Sequence, residues 1–95
     1  MSFDEFMAAA SPPPAASPAL QALWHDAHGD WARAHNLSQE DEGAAGSWVH
    51  AYLHRREGDL ANARYWYARA GRTAPAKNVT LDAERDEIIR ALLQA

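Results

Sequence analysis

Apolar side chains in this chain recur at helical spacing and hardly ever alternate. Leu20, Leu23, Trp24 and Ala27 fall at i, i+3, i+4 and i+7, along one side of a helix. Ser17 is a good N-cap for it, and Pro18 suits the first helical position, whose amide needs no partner. Gly29 stops that helix and Asp30 caps the next, which carries Trp31, Ala34 and Leu37. A third stripe (Ala45, Trp48, Val49, Tyr52 and Leu53) predicts a helix from about Ala44 to Glu57. Gly58 and Asp59 then repeat the stop-and-cap device before a fourth stripe of Leu60, Ala63, Trp66, Tyr67 and Ala70. Thr80 caps a fifth helix, with Asp82 and Glu84 favourable at its positive end and Leu81, Ile88, Ile89, Leu92 and Leu93 on its apolar face. The pattern predicts an all-α domain of about five helices over residues 18–95. Residues 1–17, interrupted by Pro12, Pro13 and Pro14, are expected to be a flexible tail, although Phe3, Phe6 and Met7 are spaced for a helical turn.

The stretch Gly29-Asp30-Trp31-Ala32-Arg33-Ala34 aligns with Gly58-Asp59-Leu60-Ala61-Asn62-Ala63 at an offset of 29 residues. A two-residue turn forces the helices on either side of it to run antiparallel. Self-similarity at such a period is how stacked helical hairpins show themselves in a sequence. Residues 45–75 resemble a tetratricopeptide repeat, with features of its Sel1-like relatives. Ala63, Tyr67, Ala70 and Pro75 stand in the order of that family's second helix, and Ala63 to Ala70 is similar to the Sel1-type ending with paired aromatics. Trp48 stands one place after the family's opening Trp, Ala51 replaces its small glycine, and His54 departs from its tyrosine. The copy at 16–45 keeps Ala34 but has Ser38 and Asp41 at the next positions and no Pro. The resemblance implies a short array of antiparallel hairpins, with residues 79–95 as a C-terminal capping helix. It also implies a binding surface along the first helix of each repeat.

On that surface Trp48, Tyr52, Arg55 and Arg56 are the expected partner-binding residues, next to Leu23 and Asp26. A guanidinium beside rigid rings pairs with carboxylates and supplies contact area, so a protein or peptide partner is the first functional reading. Arg55→Glu is then expected to lose the partner and spare the fold. Asn62, Tyr65, Trp66 and Arg69, on adjacent turns of the fourth helix, form a second candidate surface. Charge favours an acidic partner: residues 48–77 hold six bases against two acids, whereas residues 1–47 hold one base against seven. The greasy helix at 81–94 also offers itself to a second copy.

The histidines give the alternative reading, zinc binding. His50 and His54 lie four apart and His25 and His28 three apart, so two pairs on packed helices supply four ligands, or three and a water. At about 100° per residue, His50 and His54 point away from the apolar stripe of their helix. Ala51 follows His50, so the glutamate of the zinc-protease motif is missing. Without that reading no cofactor is expected, and no catalytic motif marks the chain as an enzyme. A net charge of −4 argues against nucleic acid. No run of about 18 apolar residues suggests a membrane span. The absence of cysteine, with Asp4 and Glu5 where a leader would be basic, points to the cytoplasm.

Overall fold

The computed structural model describes all 95 residues and is entirely helical outside its turns and loops. Its elements are α1 (Phe3–Ala8), α2 (Pro18–Ala27), α3 (Trp31–Glu40), α4 (Ala44–Arg56), α5 (Leu60–Ala70) and α6 (Leu81–Leu93). Four helices begin at the caps read from the sequence. Ser17, Asp30, Asp59 and Thr80 accept the amides of Leu20, Arg33, Asn62 and Ala83 through their side-chain oxygens. Each cap satisfies an amide that has no intrahelical acceptor, an interaction of about 1 kcal/mol. No helix is long and apolar enough to cross a membrane.

Two hairpins, α2–α3 and α4–α5, close in the same way. Gly29 and Gly58 both sit at φ +87°, a left-handed backbone that suits a residue without Cβ. In each hairpin the following Asp amide donates to a histidine carbonyl at 2.9 Å, Asp30 to His25 and Asp59 to His54. The 29-residue offset seen in the sequence is therefore also an offset between equivalent hydrogen bonds.

Helix α4 is the hub, in contact with α2, α3, α5 and α6. Every residue from Gly46 to His54 is buried, and Val49, Ala51, Tyr52 and Leu53 have no exposure at all. Burying a Val or Leu side chain stabilises by about 1.5–3 kcal/mol, so this helix anchors the core. Its start is crowded. A Cβ on Gly46 would lie 1.8 Å from the Asp41 carbonyl oxygen, a backbone atom that cannot swing aside. Gly46→Ala is expected to cost about 1–3 kcal/mol in urea denaturation. Gly43→Ala, at the N-cap, meets only an Asp41 carboxylate oxygen at 3.4 Å. It should cost less than about 1 kcal/mol.

Two expectations are corrected by the packing. The segment expected to be a tail contains α1, whose Phe6 is fully buried while Phe3 and Met7 pack against the core. Ser2 and Glu5 form a capping box that supports even this short helix. The Trp24 indole donates to the Ala9 carbonyl at 3.2 Å, and the Arg90 guanidinium lies 3.9 Å from the centre of the Phe3 ring. Helix α1 touches both α2 and α6, covering apolar ground that five helices leave open. The face of α6 expected to meet a second copy is turned inward instead. Ile88 and Ile89 are fully buried, and Leu92 and Leu93 pack on the same core.

Candidate functional site

The aromatic and arginine face read as a partner surface is a set of internal clamps. Tyr52 has no exposure; its hydroxyl donates to Asp26 and accepts from Arg56 Nε at 2.8 Å. Arg56 also donates to Asp82 at 2.9 Å. Arg55 donates to Glu84 at 2.9 Å and to the Val79 carbonyl, while the Tyr67 hydroxyl donates to the other Glu84 oxygen. Trp48 is buried, with the Arg72 guanidinium 3.7 Å from its ring centre. Burial first, and then the adjacent carboxylates, push the Tyr52 and Tyr67 phenols above their ordinary range. Both therefore remain neutral donors. Tyr52, Arg55 and Arg56 thus tie α4 to α2 and α6, with α5 joined to α6 through Tyr67 and Glu84, and the fully buried Tyr52 offers no surface to a partner.

Helix α5 carries what is open. Asn62, Tyr65 and Arg69 are exposed and Trp66 is half-buried. Arg69 donates to the Tyr65 hydroxyl at 3.1 Å and lies 5.2 Å from the Trp66 ring centre. Between α5 and the α5–α6 loop lies a cleft of about 320 Å³. Leu60, Ala63, Tyr67, Ala74 and Pro75 give it apolar lining, and Arg55, Arg64 and Lys77 give it three cations with no carboxylate. Leu60 is 55% exposed. Arg55 is committed to Glu84, but Arg64 and Lys77 enter no ion pair.

The histidines group differently from the two sequence pairs. His50 and His54 are 4% and 7% exposed, not solvent-facing, because α4 is enclosed by its neighbours. The ring that joins them is His35 of α3, not His25 or His28. His35 Nε2 and His50 Nε2 are 2.9 Å apart, and one ring nitrogen from each of His35, His50 and His54 lies within 4.8 Å of the others. Two indoles brace the set: Trp31 stacks on His35 at 4.9 Å and Trp66 on His50 at 4.0 Å. The Trp31 nitrogen donates to the Leu53 carbonyl at 2.9 Å, tying its ring to α4. His54 Nδ1 lies 2.6 Å from a Glu57 carboxylate oxygen. His25 and His28 lie instead against Trp24, with His28 stacked on its ring at 3.8 Å and Nδ1 bonded to its carbonyl.

Burial, and then the charges of His35 and His54, push the His50 imidazole down to about 4. Burial and His54 lower His35 as well. At neutral pH both rings are uncharged, the form in which imidazole acts as a ligand or a hydrogen-bond acceptor. His50 also lines a second cleft, of about 450 Å³, together with Ser38, Ser47, Trp66 and Arg69. Trp66 and Arg69, two of the four residues of the second candidate surface, thus line the same cleft as His50. Function has to be argued from these residues themselves, for no protein-family model, curated protein or solved structure matches this chain.

Proposed function

We propose that the protein is a small interaction module, a short tetratricopeptide-like array that seats an acidic, partly apolar peptide segment in the cleft between α5 and the α5–α6 loop. The observation that carries this reading is the cleft's lining: three cations and no carboxylate around an apolar surface on which Leu60 is 55% exposed. Apolar side chains of a partner cover Leu60 and Pro75, and its carboxylates approach Arg64 and Lys77, whose charges nothing in the chain neutralises. Such pairing speeds and orients encounter more than it adds affinity, so binding should weaken with salt. This partner surface keeps Arg55 at its edge but leaves out Trp48 and Tyr52, and lies on the neighbouring side of the same hairpin.

The test uses an end-capped, fluorophore-labelled peptide alternating Glu and Leu, followed by fluorescence anisotropy at low and high salt. Wild type should bind it, and more weakly as salt rises. The Arg64→Glu, Lys77→Glu double variant should bind about tenfold or more weakly, a loss of about 1.4 kcal/mol. Both positions are exposed, so the variant should keep wild-type circular dichroism. Equal binding by wild type and the double variant would exclude this cleft.

A further inference from the structure

We propose that His35, His50 and His54 form a three-imidazole site for a divalent transition metal of the zinc class, with its fourth position open towards the cleft that His50 lines. The site owes nothing to the peptide cleft and stands or falls separately. Its donors are of the right kind: imidazole is a common zinc ligand, with a metal–nitrogen distance of about 2.0–2.1 Å. Tetrahedral ligation at that distance sets ligand nitrogens about 3.3 Å apart. His35 Nε2 and His50 Nε2, at 2.9 Å, are within a few tenths of an ångström of that separation. The third ring nitrogen lies within 4.8 Å of both and has to close inwards, a movement of one side chain on a helix already in place.

The surroundings supply what ligands need. Histidines that hold metals usually donate their second ring nitrogen to a carboxylate or carbonyl, which fixes the tautomer and orients the ring. Glu57 stands in that relation to His54, at 2.6 Å from Nδ1, and leaves Nε2 as that ring's free nitrogen. Trp31 and Trp66 stack on His35 and His50, restraining rotation of the rings. Of the chain's five histidines only these three come together. They arrive from two helices, which a chance helix-face pair at i, i+4 does not achieve. Three protein ligands with one open position is the pattern of sites that keep a water or take an exogenous ligand. The cleft beside His50, of about 450 Å³, has room for either.

The full-length protein, stripped with chelator, is titrated with zinc chloride in a calorimeter. One equivalent should bind at micromolar zinc or tighter. His35→Gln, at a half-buried position, should lose most of that affinity. Glu57→Gln should weaken it by about 10–100-fold through the loss of its hold on His54. His25→Gln and His28→Gln should bind as wild type does. Independently of any variant, zinc should move the imidazole nitrogen resonances of His35, His50 and His54 and leave those of His25 and His28 in place. Cobalt(II) should give the visible bands of a tetrahedral complex. Absence of heat with wild type at micromolar zinc overturns the proposal. So does unchanged affinity in a folded His35→Gln variant, or a resonance shift confined to His25 and His28.

Discussion

Glu84→Ala is expected to remove about 3–5 kcal/mol of folding stability, a large share of what a domain of this size holds. Glu84 is only 3% exposed, and its two carboxylate oxygens serve two different helices. One accepts from Arg55 of α4 and the other from the Tyr67 hydroxyl of α5. Deleting the carboxylate leaves the Tyr67 phenol without an acceptor and the Arg55 guanidinium without its counter-charge, bonded only to the Val79 carbonyl, and an unpaired buried charge is the costly case. Glu84→Gln keeps the shape and one acceptor but not the charge, and should fall between alanine and wild type. Asp82→Ala is the control on the same helix: its side chain is 70% exposed, and its ion pairs with Arg56 and Arg85 are worth about 1 kcal/mol at most. Urea midpoints of the three variants decide it. If Glu84→Ala unfolds within about 1 kcal/mol of Asp82→Ala, the buried network is not what fastens α6.

Arg55→Glu shares this mechanism. The sequence made Arg55 a partner contact whose reversal would spare the fold. The structure sets the new carboxylate against Glu84, so the variant should lose stability first. An arginine among aromatics and carboxylates does make charge-assisted bonds, here to Glu84. What the sequence could not show was that the carboxylate comes from the chain's own α6, 29 residues further on. Composition says which groups can pair; only the fold says whether the partner is internal.

The same limit explains what was and was not legible elsewhere. The Gly-Asp closures at 29–30 and 58–59 were readable because cap and turn chemistry act within three or four residues. Of helix α1 only the helical spacing of Phe3, Phe6 and Met7 was legible; its docking was not, because the value of Phe6 lies in ground between α2 and α6 that no local pattern announces. Pointing away from the apolar stripe does not carry His50 and His54 into solvent, because a helical wheel shows one helix and not its neighbours. Helix α4 has scarcely any solvated face, since nine consecutive residues, Gly46 to His54, are buried. His35 was missed because its partner His50 is 15 residues away on another helix, and spacing rules reach only one turn. One sequence signal does bear on it. Trp31 and His35, and likewise His50 and His54, sit four apart, and both pairs stack in the structure.

That cluster makes the stability of the metal-free protein depend on pH, with a sign fixed by burial. The His50 imidazole is held at about 4 in the fold against an ordinary 6.5, because burial and its two histidine neighbours oppose its charge. Above 6.5 the ring is neutral in both folded and unfolded chains and contributes no pH dependence. Between 6.5 and about 4 the unfolded chain takes up a proton that the folded chain refuses, so stability falls as pH falls. Below about 4 the ring is charged in both and its contribution levels off. The slope from one such group approaches about 1.4 kcal/mol per pH unit, which gives about 2–3 kcal/mol over the window. His35, lowered by burial and by His54, acts in the same direction. The measurement is urea denaturation in the presence of chelator at pH 7 and pH 5. Wild type should lose at least about 1 kcal/mol between them, and His50→Gln, which has no proton to take up, should lose distinctly less. Equal stability of wild type at both pH values would mean that the imidazoles accept protons in the fold. His35 and His50 would then be solvated rings, not the enclosed ones that the packing of α3, α4 and α5 describes.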